Sequence, residues 1–147
     1  MSTALYRARL RACPGCRTPM RQVALRSMRG RGGVDLCDRC GGVFLEFFDG
    51  EPSALSKEIK QHLQHTETQH RAPLGHGDPL ACPDCERTMD VHPYLDEGPH
   101  IARCNRCMAV FATPEQILAL SAFQFIQDTP PWYTRLVDLL RSMFAGP

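Results

Sequence analysis

Eight cysteines, arranged as four Cys-x-x-Cys pairs, constrain this 147-residue chain more than any other feature. A Cys-x-x-Cys turn presents two sulfurs from one tight knuckle, and a structural zinc site needs four such donors in a tetrahedron. Twenty residues separate the first two pairs and eighteen separate the last two, a spacing typical of zinc ribbons. The sequence therefore predicts two structural Zn²⁺ sites, with the ligands Cys13, Cys16, Cys37 and Cys40 in the first and Cys82, Cys85, Cys104 and Cys107 in the second.

A redox dithiol is the competing interpretation of the Cys13–Cys16 pair. That function requires neither a second pair at ribbon spacing nor a copy of the whole arrangement. Four thiolates also leave no open coordination position, whereas a catalytic zinc site keeps one for water or substrate. The chain contains no nucleophile elbow, phosphate-binding loop or HExxH motif. We therefore expect a protein that is not an enzyme.

The chain is an internal duplication. The first cysteine pair and Met20 recur 69 residues later, and the second pair with Val43 and Phe44 recurs 67 residues later. In each copy, alternating apolar residues predict a β-hairpin between the cysteine pairs and a short third strand after them. Pro93 favours a short or edge strand in the second copy. The predicted fold class is a small, zinc-stabilised α+β protein made of two tandem zinc ribbons.

A helix is predicted after each ribbon. Ser53 is a candidate cap for the first helix, whose apolar residues follow at helical spacing. The segment Thr113-Pro-Glu-Gln116 has the pattern of a capping box with proline at the first helical position. We expect this second helix to carry an apolar face containing Ile117, Leu118, Phe125 and Ile126.

These patterns divide the chain into five segments. They are a basic tail (1–12), the first zinc ribbon with its helix (13–63), a linker (64–81), the second zinc ribbon with its helix (82–127) and a C-terminal amphipathic helix (128–147). Units of this size bury little core, and a structural zinc supplies on the order of 10 kcal/mol. Metal binding and folding are therefore expected to be one event.

The linker is rich in His, Thr, Gly and Pro, and its histidines are interpreted as solvated residues. Metal binding by these histidines stays open. No apolar stretch has the length of a signal peptide or a membrane span, so a cytoplasmic location is expected. A reducing compartment also favours zinc thiolates over disulfides.

Charge is unevenly distributed along the chain. Residues 1–34 contain eight arginines and no acidic residue, although eight thiolates and two Zn²⁺ would shift the net charge of the whole chain from +1 to about −3. Arginines near a hairpin tip can bind phosphate, so nucleic acid is one candidate partner. An acidic protein partner is the alternative. The candidate nucleic-acid-binding residues are Arg21, Arg26, Arg29 and Arg31.

The C-terminal segment offers a second candidate surface. Its apolar residues fall on one helical face, which a small ribbon has little surface to bury. The candidate partner-binding residues are Trp132, Leu136, Leu140 and Phe144. This face has three possible roles: self-association or docking on a partner, packing between the ribbons, and contact with a membrane surface. The membrane is the weakest alternative because few basic residues flank the face.

The first copy resembles the zinc-ribbon family named after transcription factor IIB. The resemblance rests on Cys13-Pro-Gly-Cys16 and on Cys37-Asp-Arg-Cys40-Gly-Gly-Val-Phe-Leu45, and it covers about residues 13–60. It implies metal binding by the four cysteines of that copy. The second copy, covering about residues 82–120, diverges by replacing Gly-Gly with Met108-Ala109, and both copies have Phe where the family usually has Trp.

The resemblance also implies a docking module, since ribbons of the wider superfamily bind RNA polymerase or nucleic acid. We expect a non-enzymatic, regulatory interaction platform that binds a protein partner. Components of the transcription machinery are one candidate for that partner. Two alternatives remain: a nucleic-acid-binding regulator acting through the arginine-rich first ribbon, and a self-assembling structural protein acting through the C-terminal helix.

Overall fold

A computed structural model describes residues 10–28, 33–46, 49, 51–63, 79–128, 133, 136, 137 and 139–141. Four of the predicted binding residues, Arg29, Arg31, Trp132 and Phe144, lie outside this set. Most of the predicted linker, with its histidines, lies outside it as well. Leu136 and Leu140 are helical, and each is 44% exposed.

The described residues form six short strands and two continuous α-helices, in addition to the helical residues near the C-terminus. The strands are β1 (Arg21–Ala24), β2 (Gly33–Leu36), β3 (Val43–Leu45), β4 (Asp90–Pro93), β5 (His100–Arg103) and β6 (Val110–Ala112), and the helices are α1 (Pro52–Leu63) and α2 (Pro114–Asp128). Short 3₁₀ turns at Arg26–Met28 and Tyr94–Asp96 lie between the two strands of each hairpin. The predicted hairpins, third strands and following helices are all present.

All six strands belong to one antiparallel sheet, in the order β1-β2-β3-β6-β5-β4. The third strands of the two copies pair with each other, and Phe44 lies directly opposite Phe111 at the centre of that pairing. The two copies are thus related by a local two-fold axis within the sheet. The predicted edge position of β4 is confirmed, with Pro93 as its last residue. The two copies therefore share one core, whereas two separate small cores were expected from the sequence.

The sheet separates two layers of the core. Val43 and Leu45 pack with the helices on one face, whereas Phe44, between them, packs with the cysteines on the other face. Phe111 packs with Phe44 on the cysteine face in the same way. Because both faces are covered, every residue of β3 and β6 is buried. The central strands therefore read as continuous apolar runs.

The start of α2 agrees with the sequence, but the start of α1 does not. The Thr113 backbone N–H donates to the Gln116 side chain at 2.9 Å, and the Gln116 N–H lies 3.4 Å from the Thr113 hydroxyl, as in a capping box. The expectation that Ser53 caps α1 was wrong, because α1 begins at Pro52. Ser53 is buried instead, and its hydroxyl donates to Gln124 of α2 at 2.6 Å.

The structure changes two further expectations, the single apolar face of α2 and the assignment of Arg11 to a basic tail. Leu118 and Ile126 are 48% and 69% exposed, because α2 turns Ile117 and Leu120 toward the core and packs against α1. Arg11, assigned to a basic tail, is only 2% exposed because it binds three carboxylates of the folded sheet.

Candidate metal centres

The four Cys-x-x-Cys segments fold into four knuckles of the same geometry. In each, the backbone N–H four residues after the first cysteine donates to that cysteine's carbonyl at 2.8 Å. That donor residue has a positive φ, and the four donors are Arg17, Gly41, Glu86 and Met108. Met108 is the counterpart of Gly41, and the knuckle is preserved although glycine is replaced. Met108 adopts the left-handed conformation that glycine adopts more readily.

The knuckles bring the predicted ligands together in two sets. Site A contains Cys13, Cys16, Cys37 and Cys40, and site B contains Cys82, Cys85, Cys104 and Cys107. Within each set, all four Sγ atoms lie within 4.8 Å of one another. Each set can therefore hold one metal ion.

The sulfur distances fit a tetrahedral metal rather than a disulfide. The Sγ atoms of Cys13 and Cys40 lie 3.5 Å apart, those of Cys16 and Cys37 lie 3.4 Å apart, and those of Cys85 and Cys104 lie 3.5 Å apart. Four bonds of about 2.3 Å to a tetrahedral zinc would place the sulfurs about 3.8 Å apart. A disulfide requires about 2.05 Å. All eight cysteines are free.

The electrostatics of site A call for a cation. The hydrogen bond from Cys13 is the main cause that lowers the pKa of Cys40 to about 5, whereas that same hydrogen bond and burial raise the pKa of Cys13. Burial raises the pKa of Cys37 to about 11. These raised values keep Cys13 and Cys37 protonated at neutral pH, so all four groups become thiolates only when a metal ion offsets their charge.

Site B shows the same opposition between thiols. Burial raises the pKa of Cys82 to about 11. Burial acts in the same direction on Cys104, but backbone N–H groups of Cys107 and Arg106 stabilise its thiolate and lower its pKa to about 7. Site B is also the more accessible of the two, since it has two half-buried cysteines whereas site A has one.

A buried ion cluster connects the two copies next to the cysteine sets. The Arg11 guanidinium donates to Asp35 at 2.8 Å, to Asp84 through Nε at 2.7 Å, and to Glu46. Asp84 lies within the first knuckle of site B, whereas Arg11 lies two residues before Cys13 of site A. Sequence reasoning missed this cluster, although the internal repeat holds a signal for it. Arg11 corresponds to Leu80 and Asp84 corresponds to Gly15, so both partners change between the copies.

The charges of the ion cluster follow from burial. Burial alone would lower the pKa of Arg11, but the hydrogen bond to Asp84 and the charges of all three carboxylates raise it, so the guanidinium stays charged. Burial raises the pKa of Asp35 despite the attraction of Arg11. The guanidinium also lies over the Phe44 ring, 5.5 Å from its centroid.

The predicted nucleic-acid-binding arginines are only partly placed by the structure. Arg21 is exposed, and its Nε donates to both oxygens of Asp38 at 2.7 and 2.9 Å. Arg26 lies in an exposed 3₁₀ turn whose backbone N–H groups donate to Glu58 of α1. Arg21 therefore pairs with a residue of the second knuckle of site A, whereas Arg26 lies beside α1.

Comparison with family models, with curated proteins and with solved structures finds no match for this chain. Within the described residues, neither helix is long and apolar enough to cross a membrane.

Proposed function

We propose that this chain is a non-enzymatic zinc protein in which two ribbons of the transcription factor IIB type form one rigid platform for a regulatory protein partner. The observation that carries the proposal is the placement of two Cys₄ sets on one face of a single six-stranded sheet. Four thiolates per ion leave no position for substrate, so the zinc in each site is structural. A reducing, cytoplasmic location suits this chemistry.

The surface of α2 supports a protein partner. Leu118 and Ile126 are exposed and stand eight residues apart, so they share one outward face of this helix that a partner would cover. A nucleic-acid partner has less support from the described residues. Arg11 is buried among carboxylates and Arg21 is paired with Asp38, so neither presents an unopposed positive charge.

Metal content is the first test of the proposal. Native mass spectrometry of the full chain should find two zinc ions, and near-complete chelation should abolish the folded circular dichroism signal. One zinc or none in the freshly purified chain would contradict the two-site proposal.

Partner capture is the second test. The full chain and a Leu118→Gln/Ile126→Gln variant are used as parallel baits in cell lysate, each with and without nuclease. We expect a captured protein that survives nuclease and is lost with the double variant. An Arg21→Gln bait is the matched polar control, and it should retain the partner. Capture that disappears with nuclease or with Arg21→Gln would favour the nucleic-acid alternative.

Self-association through the C-terminal segment is the other alternative, because Leu136 and Leu140 are exposed. Light scattering of the full chain and of a chain ending at residue 127 tests it. Equal mass per monomer for both chains would exclude assembly through this segment.

A further inference from the structure

We propose that site A is completed by the other ribbon: the Phe111 ring from β6 covers both knuckles of site A and positions them, so that site A retains its metal only when the second ribbon is folded. This inference rests on the proposed zinc sites and assigns Phe111 as a positioning residue for one of them.

The contact of Phe111 with the second knuckle of site A is the closest observation. A Cβ atom placed on Gly42 would lie 2.5 Å from the Phe111 Cζ and 2.6 Å from its Cε2. Real Cβ atoms do not approach other atoms so closely, so any side chain at position 42 would force the Phe111 ring to shift. The same hypothetical Cβ would lie 3.2 Å from the Cys40 Sγ, which places the ring beside a ligand of site A.

The first knuckle of site A meets the same ring. A Cβ on Gly15 would lie 3.3 Å from the Phe111 Cζ and 3.4 Å from its Cε1. Gly15 and Gly42 stand in different knuckles, and each belongs to a different cysteine pair. One aromatic ring from the second ribbon thus spans both halves of site A.

Site B has a different arrangement at the corresponding positions. Ala109 stands where Gly42 stands and already carries a Cβ, while Asp84 stands where Gly15 stands and binds Arg11. Phe44, the two-fold counterpart of Phe111, instead lies beneath the Arg11 guanidinium. The packing of an aromatic ring against two knuckle glycines is therefore found in site A and not at the corresponding positions of site B.

Burial agrees with this dependence. Phe111 is 1% exposed, and three of the four thiols of site A are buried. The ring is held in place by the pairing of β3 with β6, in which Phe111 is opposite Phe44. Disrupting the second ribbon would remove the ring and leave both knuckles of site A with a void on that side.

The test measures each site separately in the zinc-loaded full chain. N-ethylmaleimide labels released thiols, and mass spectrometry of the peptides assigns the labelled cysteines to site A or site B. We expect Phe111→Leu to increase the labelling rate of the site A cysteines by about tenfold relative to those of site B, because local opening at site A becomes less costly. Phe123→Leu, on the opposite face of the sheet, is the matched control and should raise both rates equally.

Other outcomes decide against the inference. No change in Phe111→Leu, an equal rise at both sites, or a rise confined to site B would overturn it. If Phe111→Leu loses the native circular dichroism spectrum, Phe111→Met keeps more of the volume, and the same preference for site A is expected.

A second measurement counts the metal directly. Cys82→Ser combined with Cys85→Ser removes two ligands of site B, and native mass spectrometry should then find that site A has lost its zinc as well. One retained zinc, with the site A cysteines still protected, would overturn the inference and leave the proposed function intact. A wild-type chain without two zinc ions would instead overturn both.

Discussion

The two copies share one backbone plan but differ where they meet. In the first copy, two small residues, Gly15 and Gly42, lie against the Phe111 ring. In the second, Asp84 occupies the position of Gly15 and binds the buried Arg11. One contact between the copies is thus aromatic and the other is ionic. After a duplication, the copies can thus diverge by complementing each other rather than by each completing its own core.

The largest effect expected from this comparison concerns metal removal. Structural zinc contributes on the order of 10 kcal/mol in small domains, so excess chelator should unfold the sheet. Site B should release its metal first, since two of its thiols are half-buried and only one of those in site A is. Thiol labelling during slow chelation gives the order. Earlier labelling of the site A cysteines would show that burial does not set the order of release.

The ionic contact is the second most sensitive feature. Arg11→Leu places the residue of the second copy into the first, but it leaves Asp35, Glu46 and Asp84 without their guanidinium. We expect a loss of about 3 to 5 kcal/mol in the free energy of unfolding, as for breaking other buried ion pairs. Denaturant unfolding of the zinc-loaded chain measures it.

Arg21→Leu is the matched control for the ionic contact. The Arg21 side chain is 51% exposed, and exposed pairs such as Arg21–Asp38 contribute about 0 to 1 kcal/mol. Equal losses in the free energy of unfolding for Arg11→Leu and Arg21→Leu would show that the buried cluster stabilises the fold no more than the exposed pair does.

The aromatic contact should respond to a single added methyl group. Gly42→Ala forces the Phe111 ring to move, and we expect a loss of about 1 to 3 kcal/mol in the free energy of unfolding. Gly15→Ala is the control, because its added Cβ would lie 3.3 Å from the ring and needs only a small adjustment. A larger loss in the free energy of unfolding for Gly15→Ala than for Gly42→Ala would contradict the closer approach of the Phe111 ring to Gly42. Thermal unfolding compares the two variants.

The helix layer gives a smaller effect. Ser53 lies between Tyr94 of the second ribbon, at 3.2 Å from its hydroxyl, and Gln124 of α2. Ser53→Ala should reduce the free energy of unfolding by about 1 kcal/mol, because these buried groups lose a hydrogen-bonding partner. Ser121→Ala, at a half-buried position of α2, is the control and should change stability less. Equal changes would argue against a link between the helices at Ser53.

The smallest expected effect depends on pH. Burial acts to raise the pKa of the Glu58 carboxyl, but hydrogen bonds from the Arg26 N–H and from Ser27 outweigh it and lower that pKa below the usual value. A lowered pKa in the folded state means that this contribution to stability is present above the unfolded-state pKa and is lost as the pH falls through the folded-state pKa. Glu58→Gln should remove that part of the acid dependence. An unchanged slope of stability against pH in the acid range would contradict it.

Much of the local structure was predictable because the cysteines fix it. The spacing between pairs predicted both ligand sets, and the alternation of apolar residues predicted the hairpins on either side of each turn. The capping box at Thr113 correctly marked the start of α2. Each of these signals is contained within a short segment, where sequence and backbone geometry are tied directly.

The errors arose where a residue's environment comes from elsewhere in the chain. Ser53 has the chemistry of a helix cap, but contacts with Tyr94 and Gln124 place it inside the structure. Leu118 fits an apolar helical face as well as Leu120 does, and only the packing of α2 on α1 decides which is buried. Arg11 is part of a basic stretch in sequence, yet it is a buried partner of three carboxylates.

The sequence by itself determined the two sets of cysteine ligands, the knuckles and the order of strands within each copy, because ligand spacing and hairpin formation act over about thirty residues or fewer. Only the tertiary structure decided that β3 and β6 pair, that the Phe111 ring lies against Gly15 and Gly42 of the other copy, and that Arg11 reaches Asp84. These contacts join residues about 65 to 95 positions apart in the chain. No local pattern specifies them, because their stability comes from complementary shape and charge that exist only once both ribbons are folded.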